Sequence, residues 1–130
     1  MNILKWLDRS SGKDTCIIVD GVSINARKCI MPKFAYSIPK LINSVKKITG
    51  FSSVGSLTIE IMLTRDKRSP CAWYETLCNT IYVYVDYCKP NIIAHELTHC
   101  MFYNAFKQQL PKECSEVIPK WVDTNMQNLL

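Results

Sequence analysis

The only two histidines of this 130-residue chain, His95 and His99, flank Glu96, Leu97 and Thr98 in a single His-Glu-Leu-Thr-His run. A four-residue spacing on a helix turns both imidazoles to one face, where they can share a metal ion, and keeps Glu96 within reach of a water on that ion. The ion expected from such donors is Zn2+. Catalytic zinc takes three protein ligands and leaves a fourth position to water, whose pKa falls to about 7 in favourable sites. The run provides two ligands. With no further histidine in the chain, the third is a carboxylate or a cysteine from elsewhere, and Glu113, Cys114, Glu116 and Asp123 are the downstream candidates.

Such chemistry needs a helix to carry the run and a scaffold to hold the helix. Pro90-Asn91 ends a strand-like pattern and is expected to cap a helix from residue 92 to about 107, closed by Leu110-Pro111. Residues 80–87 alternate, with Ile81, Val83 and Val85 on one side and Tyr82, Tyr84 and Asp86 on the other. A short strand over residues 71–74 can precede them. Leu57, Ile59, Ile61 and Leu63 alternate with polar or longer residues, as in a strand with one buried face.

Closer to the start, Ile38, Leu41, Ile42, Val45 and Ile48 recur at helical spacing, with Pro39 in the first turn and Gly50 as the stop. Two apolar arms around Asp20-Gly21 predict a hairpin over residues 16–25. The tail from 112 to 130 has a helical pattern that Pro119 must bend or divide.

The residues from His95 to Asn104 resemble the HELxHxxFxN run of gluzincin aminopeptidases. Glu116-Val117-Ile118-Pro119-Lys120-Trp121 is similar to their EGxAxY segment, with Val117 and Pro119 where small residues are usual. The resemblance covers roughly residues 80–122, and the small size of the chain is similar to the minigluzincins. It implies an α+β, zincin-like single domain over residues 1–130: a small mixed sheet, an edge strand over the motif helix, and a following C-terminal helix.

It also implies zinc-dependent hydrolysis of peptide bonds, with His95, His99 and Glu116 as ligands and Glu96 as general base. The substrate would be an extended peptide or protein segment lying along the edge strand, for which residues 80–87 are the expected counterpart. Gluzincins commonly place a tyrosine or histidine beyond the third ligand to stabilise the oxyanion. Nothing after Glu116 is Tyr, His or Arg, so that donor comes from Tyr74, Tyr82, Tyr84 or Tyr103, or is absent. The alternative is a zincin-fold binding or regulatory module whose catalysis is lost or latent. Asp123, seven residues after Glu116, is placed to orient a ligating imidazole on an unbroken helix.

Composition narrows the field further. The length suits one core, and no repeat or low-complexity tract divides it. The opening seven residues are apolar too briefly, before Asp8 and Arg9, for a secretory core or a membrane span. Seven cysteines form an odd set with no Cys-x-x-Cys pair, so the expectation is reduced, mostly buried thiols in a cytoplasmic protein, Cys100 among the core residues. The alternative is a secreted protein with one unpaired cysteine. The net charge of +5 is dispersed in short groups, which makes no case for specific nucleic-acid binding. Neither a Gly-rich phosphate loop nor a nucleophile elbow is present.

Overall fold

The computed structural model describes residues 14–27, 37–63, 68, 70–108 and 120–122. Strands β1 (Asp14–Val19) and β2 (Val22–Arg27) form the expected hairpin. Its turn residues, Asp20 and Gly21, both have positive φ, 49° and 81°, the conformation in which a two-residue turn matches the twist of the strands it joins. Helix α1 (Ile38–Thr49) carries Pro39 in its first turn and ends on Gly50 at φ 78°, where the left-handed cap costs glycine nothing. Strand β3 (Thr58–Met62) buries Ile59 and Ile61 and leaves Thr58, Glu60 and Met62 half-buried.

Strands β4 (Ala72–Glu75) and β5 (Thr80–Tyr84) make a second hairpin. A 3-10 turn over Val85–Tyr87 follows, and then helix α2 (Pro90–Phe106), which holds the His-Glu-Leu-Thr-His run. The chain is therefore a small mixed α+β arrangement with a five-stranded sheet in the order β1-β2-β3-β5-β4. The inner pairs β2–β3 and β3–β5 are parallel, and the two outer pairs are antiparallel.

One face of this sheet buries the core. Val22, Ile24, Ile59, Ile61, Ala72, Ile81 and Val83 meet Ile38, Leu41, Ile42 and Val45 of α1 and Ile93, Ala94, Leu97 and Met101 of α2. Val122, in a short helical stretch over 120–122, is fully buried in the same cluster. The opposite face carries the row Asn25, Glu60, Tyr82 and Trp73, one residue from each of four neighbouring strands.

Three expectations are corrected. Residues 80–87 are not the sheet edge: β5 lies between β3 and β4, and β4 is outermost. Alternation reports that one face of a strand is buried and is silent about how many neighbours it has. Moreover, the strand ends at Tyr84, so Val85 and Asp86 belong to the 3-10 turn. Pro90 does not cap α2 but opens it. Lys89 is the cap, and a proline at the first helical position loses no hydrogen bond because that N–H has no partner in a helix. The helix ends at Phe106, as expected at about residue 107, with Lys107 in the left-handed conformation at φ 57° and its N–H donating to the Tyr103 carbonyl.

Candidate metal centre

Helix α2 is apolar on most of its circumference because it is enclosed by α1, β4 and β5. Ile93, Ala94, Leu97, Thr98, Cys100 and Met101 are at most 1% exposed. Thr98 pays no desolvation penalty here, since its hydroxyl donates to the Ala94 carbonyl one turn back at 2.9 Å. What remains is a narrow stripe on which His95 and His99 are both half-buried. Their rings lie 5.3 Å apart between centroids, tilted by 55°. Two imidazoles adjacent on one stripe fit the donor set that zinc requires from its first two ligands.

Glu96 is 8% exposed, the one charged side chain among the buried residues described. Carboxylates are seldom buried this far unless the site uses or pairs them. Its placement beside the imidazole stripe follows from its position in the sequence, about 100° around the helix from His95. Its burial does not: that comes from the enclosure of α2.

Glu116, the expected third ligand, lies outside the described residues, as do Glu113, Cys114 and Asp123. Among the described residues, no group of three His, Cys, Asp or Glu side chains is placed to hold a metal. Val122, six residues after Glu116 in the sequence, is buried in the core cluster that also holds Leu97 and Met101.

The four phenols proposed as oxyanion donors fall in different places. Tyr82 and Tyr84 stand on the face of the sheet away from α2, where Trp73 stacks on Tyr82 at 5.0 Å and leans on Tyr84 at 6.4 Å. They are sheet-face packing. Tyr74, on the helix side of β4, donates its hydroxyl to Asn79 Oδ1, and burial beside Cys100 pushes its pKa above the usual phenol value. Tyr103 follows His99 by one turn, and its ring lies 6.3 Å from that of Tyr74. Of the four, only Tyr103 shares the histidine stripe, within about 40° of His99.

Periodicity did not reveal a polar clamp at the far end of α2. Asn79 holds it together: its Nδ2 donates to the Val54 carbonyl at 2.8 Å, and its Oδ1 accepts from Asn104 Nδ2 at 3.0 Å as well as from Tyr74. Cys100 Sγ lies 3.4 Å from the Val54 carbonyl and 3.6 Å from Asn79 Oδ1. A side chain at Gly55 would collide with Asn104 Oδ1, and its φ of 63° also demands glycine. The available signals were Asn104 itself, within the run that resembles gluzincins, and Asn79 at a hairpin turn, where φ of 48° suits asparagine. Neither discloses its partner, which lies 25 or more residues away.

The cysteines divide in two. Cys16, Cys71, Cys78, Cys88 and Cys100 are free thiols, and Cys29 and Cys114 lie outside the described residues. Among the five described, Cys88 and Cys100 are buried, Cys71 is half-buried, and Cys16 and Cys78 are exposed. Desolvation pushes Cys88 and Cys100 up to about 12. Cys100 is a core residue, as expected from its position beside His99.

No protein-family model matches this chain, and no match was found for it among curated proteins or solved structures. No helix among the described residues is long and apolar enough to cross a membrane.

Proposed function

We propose that the protein is a minimal zinc-dependent peptidase of the gluzincin type, in which His95, His99 and Glu116 hold the metal and Glu96 is the general base. The observation that carries this reading is the pairing of two adjacent imidazoles with a buried carboxylate on a helix enclosed beneath an antiparallel edge strand. A bound Zn2+ supplies Lewis acidity, polarising the scissile carbonyl and making water a competent nucleophile near neutral pH. Glu96 takes the proton from the attacking water and delivers it to the leaving amine. Its burial excludes competing solvent and strengthens the electrostatic part of that transfer.

The edge supports the substrate class. The Tyr84 N–H donates to the Cys71 carbonyl at 3.2 Å, so Cys71 and Tyr84 form a hydrogen-bonded antiparallel pair. By alternation Trp73–Tyr82 and Glu75–Thr80 are bonded pairs too, and the main-chain groups of Ala72 and Tyr74 point away from β5. An extended peptide can add there as a sixth strand, its backbone bonded to Ala72 and Tyr74. Tyr103, one turn beyond His99 and against Tyr74, is then the phenol closest in sequence and helical phase to the metal ligands.

Elemental analysis of protein purified without a metal-affinity tag tests the metal. About one zinc per chain in the parent, lost in His99→Ala and reduced in Glu116→Gln, is the expected result; a folded parent that binds no zinc would overturn the proposal. A zincin-fold binding module is the second reading, motivated by the lack of Tyr, His or Arg after Glu116. It predicts a full zinc complement with no cleavage across a broad peptide library.

A further inference from the structure

The row of side chains on the face of the sheet away from α2 ends at β4, the outermost of the described strands. Asn25 Nδ2 donates to Glu60 Oε1 at 2.7 Å, Glu60 stands opposite Tyr82, and Tyr82 stands opposite Trp73. Trp73 stacks on Tyr82 with ring planes only 20° apart. Trp73 is half-buried, and among the described strands none lies beyond it. An indole at the end of a cross-strand ladder, with one flank already stacked, turns its remaining flank toward whatever pairs next.

A strand added to β4 continues this register. Because Ala72 and Tyr74 send their side chains to the core face, the added residues opposite these two project toward α2 as well. The residue between them, opposite Trp73, projects to the face that carries the indole. In an antiparallel addition this is a non-hydrogen-bonded pair, the geometry that brings cross-strand side chains closest, with Cα atoms about 4.5 Å apart. Its side chain meets the indole.

We infer that Trp73 selects extended peptides carrying a large apolar or aromatic side chain at the residue opposite it, where that side chain extends the Tyr82–Trp73 stack. This inference rests on the reading of β4 as the peptide-binding edge given above. Trp73 stands with Tyr82 on the face of the sheet away from α2 and acts as a specificity residue only. The division of labour follows from the pleat: alternate peptide residues present their side chains to the motif helix and to the indole.

A positional library of extended peptides, measured for binding and for cleavage against zinc-loaded parent, Trp73→Ala and Trp73→Phe, tests it. The expected result is enrichment of Trp, Tyr, Phe or Leu at one position. That enrichment should fall about two- to tenfold in Trp73→Ala and persist in Trp73→Phe, with zinc content and thermal stability recorded for each variant. An unchanged preference in a folded Trp73→Ala protein, or no peptide bound by the parent, overturns the inference. The two readings separate cleanly. Trp73-dependent binding without cleavage sinks hydrolysis and keeps this selection, whereas cleavage without a Trp73-dependent preference keeps hydrolysis and sinks the selection.

Discussion

The two halves of helix α2 use polar side chains in opposite ways. Toward its C-terminal end, Cys100 and Asn104 bond to Val54 and Asn79, residues 21 to 50 positions earlier, and Tyr74 joins them from β4. In the middle of the helix, His95 and His99 lie side by side and half-buried, with Glu96 buried next to them. The clamp distributes unlike groups so that each donor meets an acceptor from another segment. The stripe instead concentrates like groups, two imidazoles in one place, an arrangement that would gain from a shared cation. The two groups adjoin in sequence at His99-Cys100 but face different sides of the helix, about 100° apart.

Substitutions at the two halves should separate in their readouts. The largest effect is expected at the stripe: Glu96→Gln should lower kcat by about 10²- to 10⁴-fold while retaining zinc and melting temperature. Retained turnover would remove Glu96 from its role as base. On the clamp side, Gly55→Ala should reduce unfolding free energy by about 2 kcal/mol or more, since the new side chain meets Asn104 Oδ1 in a backbone conformation unfavourable to alanine. Denaturant titration reads this directly.

Asn104→Ala should cost about 1–3 kcal/mol by leaving Asn79 Oδ1 and the Val54 carbonyl short of a donor. Its zinc content should stay at the parental level; zinc loss in a folded Asn104→Ala protein would show that clamp and metal stripe are one unit. Tyr74→Phe removes a single donor to Asn79 and should cost about 0.5–1.5 kcal/mol.

Alkaline pH probes the same end of the helix more gently. Cys100 and Cys88 have folded-state pKa values of about 12 against an ordinary 9.0, so between those values the unfolded chain gives up protons that the folded chain keeps. Stability from these thiols is therefore fully present below pH 9 and is lost as pH rises toward 12. Cys100→Ala should flatten that decline in pH-dependent denaturant titrations. At pH 8, a thiol reagent should label exposed Cys16 and Cys78 quickly and leave Cys88 and Cys100 unreacted until the protein unfolds.

Much of the fold is legible from local pattern. The Asp20-Gly21 hairpin, the helix from Pro39 to Gly50, the alternation around Ile59 and the phase of His95 and His99 each depend on neighbours within a few residues. Misreadings gathered where the answer depends on distant segments. The resemblance puts residues 80–87 at the sheet edge, yet β4, only four residues long, pairs outside them in the described sheet. Tyr74 and Tyr103 are 29 positions apart in the chain, and only the docking of α2 against β4 brings their rings together.

By itself, then, the sequence determined which side chains share a helix face and which alternate along a strand, because backbone geometry repeats every 3.6 or 2 residues whatever lies around it. Tertiary structure alone decided that β4 is the outermost of the described strands, that Trp73 ends the described row beginning at Asn25, that Glu96 is buried, and that Asn79 ties Val54 to Asn104. Those outcomes are set by competition among long-range pairings for a single packed core. No local period encodes which segment wins.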